Sequence, residues 1–89
     1  MDETVDRIIA AIAAGGDFWH EVYEPYSENR ISRETVRMVI EKARERAGKS
    51  MPRVAHYLKA VEGDEDSDPE ARKMLFRFKN FLYKTVKLS

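Results

Sequence analysis

The apolar positions along the chain fall into helical runs separated by short polar breaks. The first run, Asp2 to Ala14, sets Val5, Ile8, Ile9 and Ile12 three and four residues apart, and Gly15-Gly16 stops it. Asp17 is placed to cap a short aromatic helix, DFWHEVYEPYSEN, which Pro25 ends or kinks because proline removes a backbone donor. Phe18, Trp19, Tyr23 and Tyr26 dominate this segment. They read either as a binding platform or as the packing of the first half onto the rest. Packing is the expectation, since aromatic rings bury a large area per residue.

Ser32 is a good N-cap for the next run, RETVRMVIEKARERA, with Val36, Val39, Ile40, Ala43 and Ala47 on one stripe. Gly48 ends it. Ser50 is placed to cap MPRVAHYLKAV, where Pro52 falls in the tolerant first turn and Val54, Ala55, Leu58 and Val61 point inward. An acidic loop follows. Asp68-Pro69-Glu70 then starts a last helix that runs to Tyr83 or beyond. Its buried stripe is Ala71, Met74, Leu75, Phe78 and Leu82, with Phe81 flanking it and Phe76 further off that face. No segment alternates with period two, so the expected fold is all-α, with four to five short helices.

The length of 89 residues suits one small domain, and a modest core makes dimer formation a natural source of further stability. The net charge of zero is a cancellation. Residues 1–31 carry net −5, residues 32–61 net +5, residues 62–70 net −6 and residues 71–89 net +6. Charge segregated in this way speaks to partners more than to fold. There is no cysteine, hence no disulfide framework and no thiolate metal site. No apolar run approaches the roughly 18 residues of a membrane span, and the acidic start lacks the basic leader of a signal peptide. Both points suggest a cytoplasmic protein.

Chemistry-bearing patterns are few. His20 and His56 are far apart and belong to no metal-ligand motif; His20 and Glu24, one turn apart, suit a surface hydrogen bond better than a metal. No nucleophile motif or phosphate-cradling glycine loop is present, so no catalytic residue, cofactor or metal is expected. Asp64, Asp66 and Asp68 begin the spacing of a calcium loop, but Pro69 stands where its glycine belongs and the last acid is missing. The last helix offers more. Lys73, Arg77, Asn80, Lys84 and Lys87 recur at spacings of four, three, four and three, along one side. Bases so spaced can meet phosphates, and arginine and asparagine are the side chains that pair bidentately with guanine and adenine edges. Arg53, and the backbone N–H groups at the Ser50 end of its helix, are further phosphate candidates.

VRMVIEKARERAGKSMPRVAHYLKAV resembles the first part of a Fis-type helix-turn-helix domain: Gly48-Lys49-Ser50 stands at the break, followed by Arg53-Val54-Ala55 and Leu58. FKNFLYKTVKL resembles that family's recognition helix, with Phe78 and Leu82 at its buried positions and Arg77, Asn80 and Lys84 on its exposed side. DFWHEVYEPYSENRISRETVRMVI looks like the segment joining this domain to the ATPase of bacterial sigma-54-dependent activators. The resemblance spans residues 17–89 and implies a module that binds double-stranded DNA as a homodimer. Residues 1–31 would be the linker and dimerisation region and residues 32–89 the helix-turn-helix domain, with dimer contacts chiefly within residues 17–47. The DNA contacts would be Ser50, Arg53, Lys73, Arg77, Asn80 and Lys84. The chain would be a C-terminal piece, with an ATPase or sensor elsewhere in a longer parent. Where the family has a tight turn, this chain has an enlarged acidic one. A protein-interaction domain that has lost DNA binding is the alternative.

Overall fold

The structure is a computed structural model that describes residues 3–87. The described residues form five helices and no strand, so the fold is all-α. Helix α1 spans Glu3–Ala13. Helix α2 joins a π-helical turn, Trp19–Tyr23, to an α-helical turn, Glu24–Ser27. Helix α3 spans Arg33–Ala47 and helix α4 Met51–Tyr57. Helix α5 spans Pro69–Asn80 and continues as a second π-helical turn, Phe81–Thr85.

The starts and stops follow local chemistry. Asp17 Oδ1 accepts from the His20 backbone N–H (2.9 Å), Ser32 Oγ from that of Thr35 (3.1 Å) and Asp68 Oδ1 from that of Glu70 (2.9 Å). Gly48 closes α3 at φ 106°, where an L side chain would be strained. Ser50 holds the N-cap position of α4, but its side chain makes no capping bond. Pro52 in the first turn removes one of the donors such a cap would serve. Pro25 neither ends nor breaks α2. It lies at the start of the α-helical turn that continues from the wider π turn, and the helix stops at Ser27.

One apolar cluster unites all five helices. Val5, Ile8, Ile9 and Ile12 of α1 join Val36, Val39, Ile40 and Ala43 of α3, and Val54, Ala55, Leu58 and Val61 are all buried. From α5 come Ala71, Phe78, Phe81 and Leu82, with Met74 and Leu75 half-buried. Phe81 therefore lies within the core rather than beside it. The aromatic segment does the packing expected of it. The Phe18 ring meets Phe78 at 4.9 Å and Phe81 at 5.7 Å, both edge-on. Tyr23 and Tyr26 complete the ring cluster around Phe81, at 5.1 and 5.7 Å. The two π turns thus meet at one aromatic junction, which docks α5 onto α2.

Two cations tie distant helix ends. Arg33 donates through Nε to the Val86 carbonyl (2.6 Å) and through Nη2 to that of Lys87 (2.9 Å). Lys59 Nζ donates to the Ile12 carbonyl near the end of α1 (2.9 Å). Carbonyls at a helix C-terminus lack intrahelical donors and carry partial negative charge, so a cation there serves both needs.

Candidate nucleic-acid interface

Helix α5 presents an exposed arc rich in basic residues. Its buried residues, Ala71, Phe78 and Leu82, fix the orientation of the helix and turn Arg72, Lys73, Phe76, Arg77 and Lys84 toward solvent. Lys79 and Asn80 are half-buried at the margins of this arc. The only carboxylate on the helix is Glu70, whose Oε1 lies 3.6 Å from Lys73 Nζ. Lys79 and Lys84 form no ion pair among the described residues. Lys73, Arg77, Asn80 and Lys84 therefore share one side, with Asn80 the least accessible of the four.

Arg77 has a neighbour the linear pattern did not reveal. Its guanidinium carbon lies 4.5 Å from the Trp19 ring centroid and 5.5 Å from that of Tyr23. Trp19 is held in turn by its indole N–H, which donates to the Ala60 carbonyl (3.0 Å). A cation over an aromatic face is attracted by the ring quadrupole and loses side-chain freedom. Arg77 is thus steadied by α2 at the edge of the basic arc. Arg53 and Ser50 are exposed at the start of α4, beyond the groove that Pro52 lines with Phe76 and Lys79 of α5. Of the six predicted contact residues, the structure brings four together on α5 and sets two on α4. The sequence favours packing over a binding platform for Trp19 and Tyr23, and nothing local in it links them to Arg77.

The acidic loop is tied down by bonds within itself and to both flanking helices. Residues 58–68 separate α4 from α5. Asp64 Oδ1 accepts from the Asp66 backbone N–H (2.9 Å), and the Asp64 carbonyl accepts from those of Ser67 (3.1 Å) and Asp68 (2.7 Å). Glu65 Oε2 lies 2.9 Å from His56 Nε2, which ties the loop to α4. That hydrogen bond is the main reason the Glu65 carboxyl titrates below its ordinary value. Arg72 Nη1 reaches back from α5 to the carbonyls of Glu65 and Asp66, both at 3.4 Å. A nine-residue acidic sequence looks like loose linker until the partners on both flanking helices are known.

His20 pairs with Asp17 (3.1 Å) and not with Glu24. Slight burial acts to raise the Asp17 carboxyl, but hydrogen bonds from His20 outweigh it and leave its pKa lowered. The same hydrogen bond raises the pKa of His20, with the Asp17 charge adding to it. Among the described residues no group of three or more His, Asp or Glu side chains is placed to hold a metal ion. Nor is any helix long and apolar enough to cross a membrane.

Comparison with known protein families, with curated proteins and with solved structures finds no match.

Proposed function

We propose that this chain is the DNA-binding module of a bacterial transcriptional regulator, acting through α5. The observation that supports the reading is the exposed arc of α5, which is rich in bases, free of acids after Glu70, and carries in Lys79 and Lys84 two cations without an ion pair among the described residues. An α-helix of this kind fits the major groove, which is about 12 Å wide in B-DNA. Lys73 and Lys84 would meet phosphates, while Arg77 and Asn80 face base edges, Arg77 in an orientation steadied by Trp19. The helix-turn-helix likeness rests on the sequence motifs; α4 and the long ordered loop would replace its first helix and tight turn.

The test is fluorescence anisotropy with duplex DNA at several salt concentrations. Binding should weaken steeply as salt rises, and Lys73→Ala with Lys84→Ala should flatten the logarithmic slope by about one per phosphate contact removed. No binding to any duplex at low salt would overturn the reading. It would favour instead a protein-binding role, for which the exposed Phe76 and Tyr83 are the supporting observation.

A further inference from the structure

Two large hydrophobic side chains are exposed among the described residues, Phe76 at 66% and Tyr83 at 46%, and both stand on α5. Isolated exposed apolar residues are ordinary. These two are not isolated. Arg72, Phe76, Lys79 and Tyr83 recur at spacings of four, three and four, which makes a second stripe about a quarter turn from the Lys73–Arg77–Asn80–Lys84 side. Beside it runs an open groove of about 840 Å³, with Pro52, Leu75 and Phe76 as its apolar lining. Its charged lining comes from Glu65 and Asp66 of the loop and from Arg72, Lys73 and Lys79 of α5.

The charge along this element is polar in the sense of a bar magnet. Residues 62–70 hold six acids and no base, and residues 71–89 hold six bases and no acid. A partner of one sign would satisfy one end and be repelled by the other. A second copy of the chain, laid antiparallel, satisfies both. We infer that the outer stripe of α5 is a self-association surface, on which two copies pair antiparallel about a two-fold axis passing between Phe76 and Lys79. Helical geometry then fixes the register. Arg72 faces Tyr83 of the second copy, and Phe76 faces its Lys79, so each ring meets a cation. Asp68 and Glu70 come level with Lys87 and Lys84 of the second copy. The interface is isologous, so every such contact is made twice. The opposed helix dipoles add in the same direction.

This inference goes beyond the DNA reading and does not rest on it. Its central stripe lies on a different side of α5, with Lys84 the one residue shared with the DNA side, and its test contains no DNA. The aromatic residues of α2 are engaged with α5 in the same chain, whereas this stripe faces outward.

Sedimentation equilibrium of the full chain should show a reversible monomer–dimer equilibrium between about 10 μM and about 1 mM, the range a patch this small supports. Phe76→Ala should raise the dimer Kd by about tenfold, as loss of a central aromatic anchor does. Its circular dichroism should be unchanged, because the ring lies outside the core. Lys84→Glu and Glu70→Lys should each weaken self-association through like-charge repulsion, and an equimolar mixture of the two should restore it, since both repulsive pairs become attractive in the mixed dimer. A chain that stays monomeric across the whole range overturns the inference. So does a dimer indifferent to Phe76→Ala, or a mixture no more associated than its components.

Discussion

Helices α3 and α5 each carry five basic residues, yet they use them in different ways. On α3 the bases are spent within the molecule. Arg37 bridges Glu34 and Glu41, Lys42 approaches Asp6 at 3.9 Å, Arg46 donates to the Tyr57 hydroxyl (3.2 Å), and Arg33 clamps the end of α5. Arg44 is the exception, with a buried Nε that has no partner. On α5 the only carboxylate is Glu70, near Lys73, Arg72 reaches loop carbonyls, Arg77 rests on aromatic rings, and Lys79 and Lys84 form no ion pair among the described residues. The contrast shows that a count of bases says little about what a helix is for. What matters is whether acids at helical spacing, three or four residues away, have already answered them.

The comparison breaks most severely if α5 is no longer held in place. Phe78→Ala should cost about 3–5 kcal/mol in urea unfolding, through lost burial and the cavity left against Phe18. A loss that large would take the basic arc with it. A smaller effect is expected at the join between the two helices. Arg33→Ala removes both donors to the Val86 and Lys87 carbonyls and should cost roughly 1–3 kcal/mol, with partial recovery in Arg33→Lys. If unfolding is unaffected, the clamp contributes nothing and the two helices are coupled by apolar packing alone.

A third experiment sharpens the contrast itself. On the proposed DNA-binding reading, Arg37→Ala should lower stability slightly and leave DNA affinity unchanged, whereas Lys84→Ala should weaken DNA binding and leave stability unchanged. Equal effects on DNA affinity would mean that the ion pairs of α3 do not withdraw its charge from a polyanion. The smallest effect concerns the cap of α2. The His20 pKa lies above its ordinary value because of Asp17, so the pair stabilises the fold below about pH 6.5 down to the acid range where Asp17 itself takes up a proton, and loses that contribution as pH rises through the raised His20 pKa. Asp17→Asn should bring the His20 midpoint down in an NMR titration and flatten this part of the stability profile. An unshifted midpoint would show that the contact does not persist in solution.

Much of this architecture was written locally. The stripes of Val36, Val39, Ile40 and Ala43 and of Ala71, Phe78 and Leu82 marked the buried faces, and Asp17, Ser32 and Asp68 marked helix starts, because each depends on neighbours within one turn. The basic side of α5 was legible for the same reason. What the sequence hid was long-range. The Arg33 clamp spans 53 residues, the Trp19–Ala60 bond 41, and Arg77 over Trp19 is likewise a meeting of distant segments. The π turns escaped too; both lie where rings from α2 and α5 meet, a contact between distant segments. Ser50 was misread as a capping side chain for the opposite reason: a favourable residue type occupied the right place, but proline had reduced the need for it.

The contact between Arg77 and Trp19 has a practical consequence. Trp19 is the only tryptophan in the chain, so its emission has one source and needs no label. Its indole is fixed by the Ala60 carbonyl at one edge and covered by a guanidinium on its face. The protein therefore contains its own optical gauge at the seam between α2, the start of the acidic loop and α5. Anything that draws Arg77 away, or loosens the seam, changes the light the molecule emits.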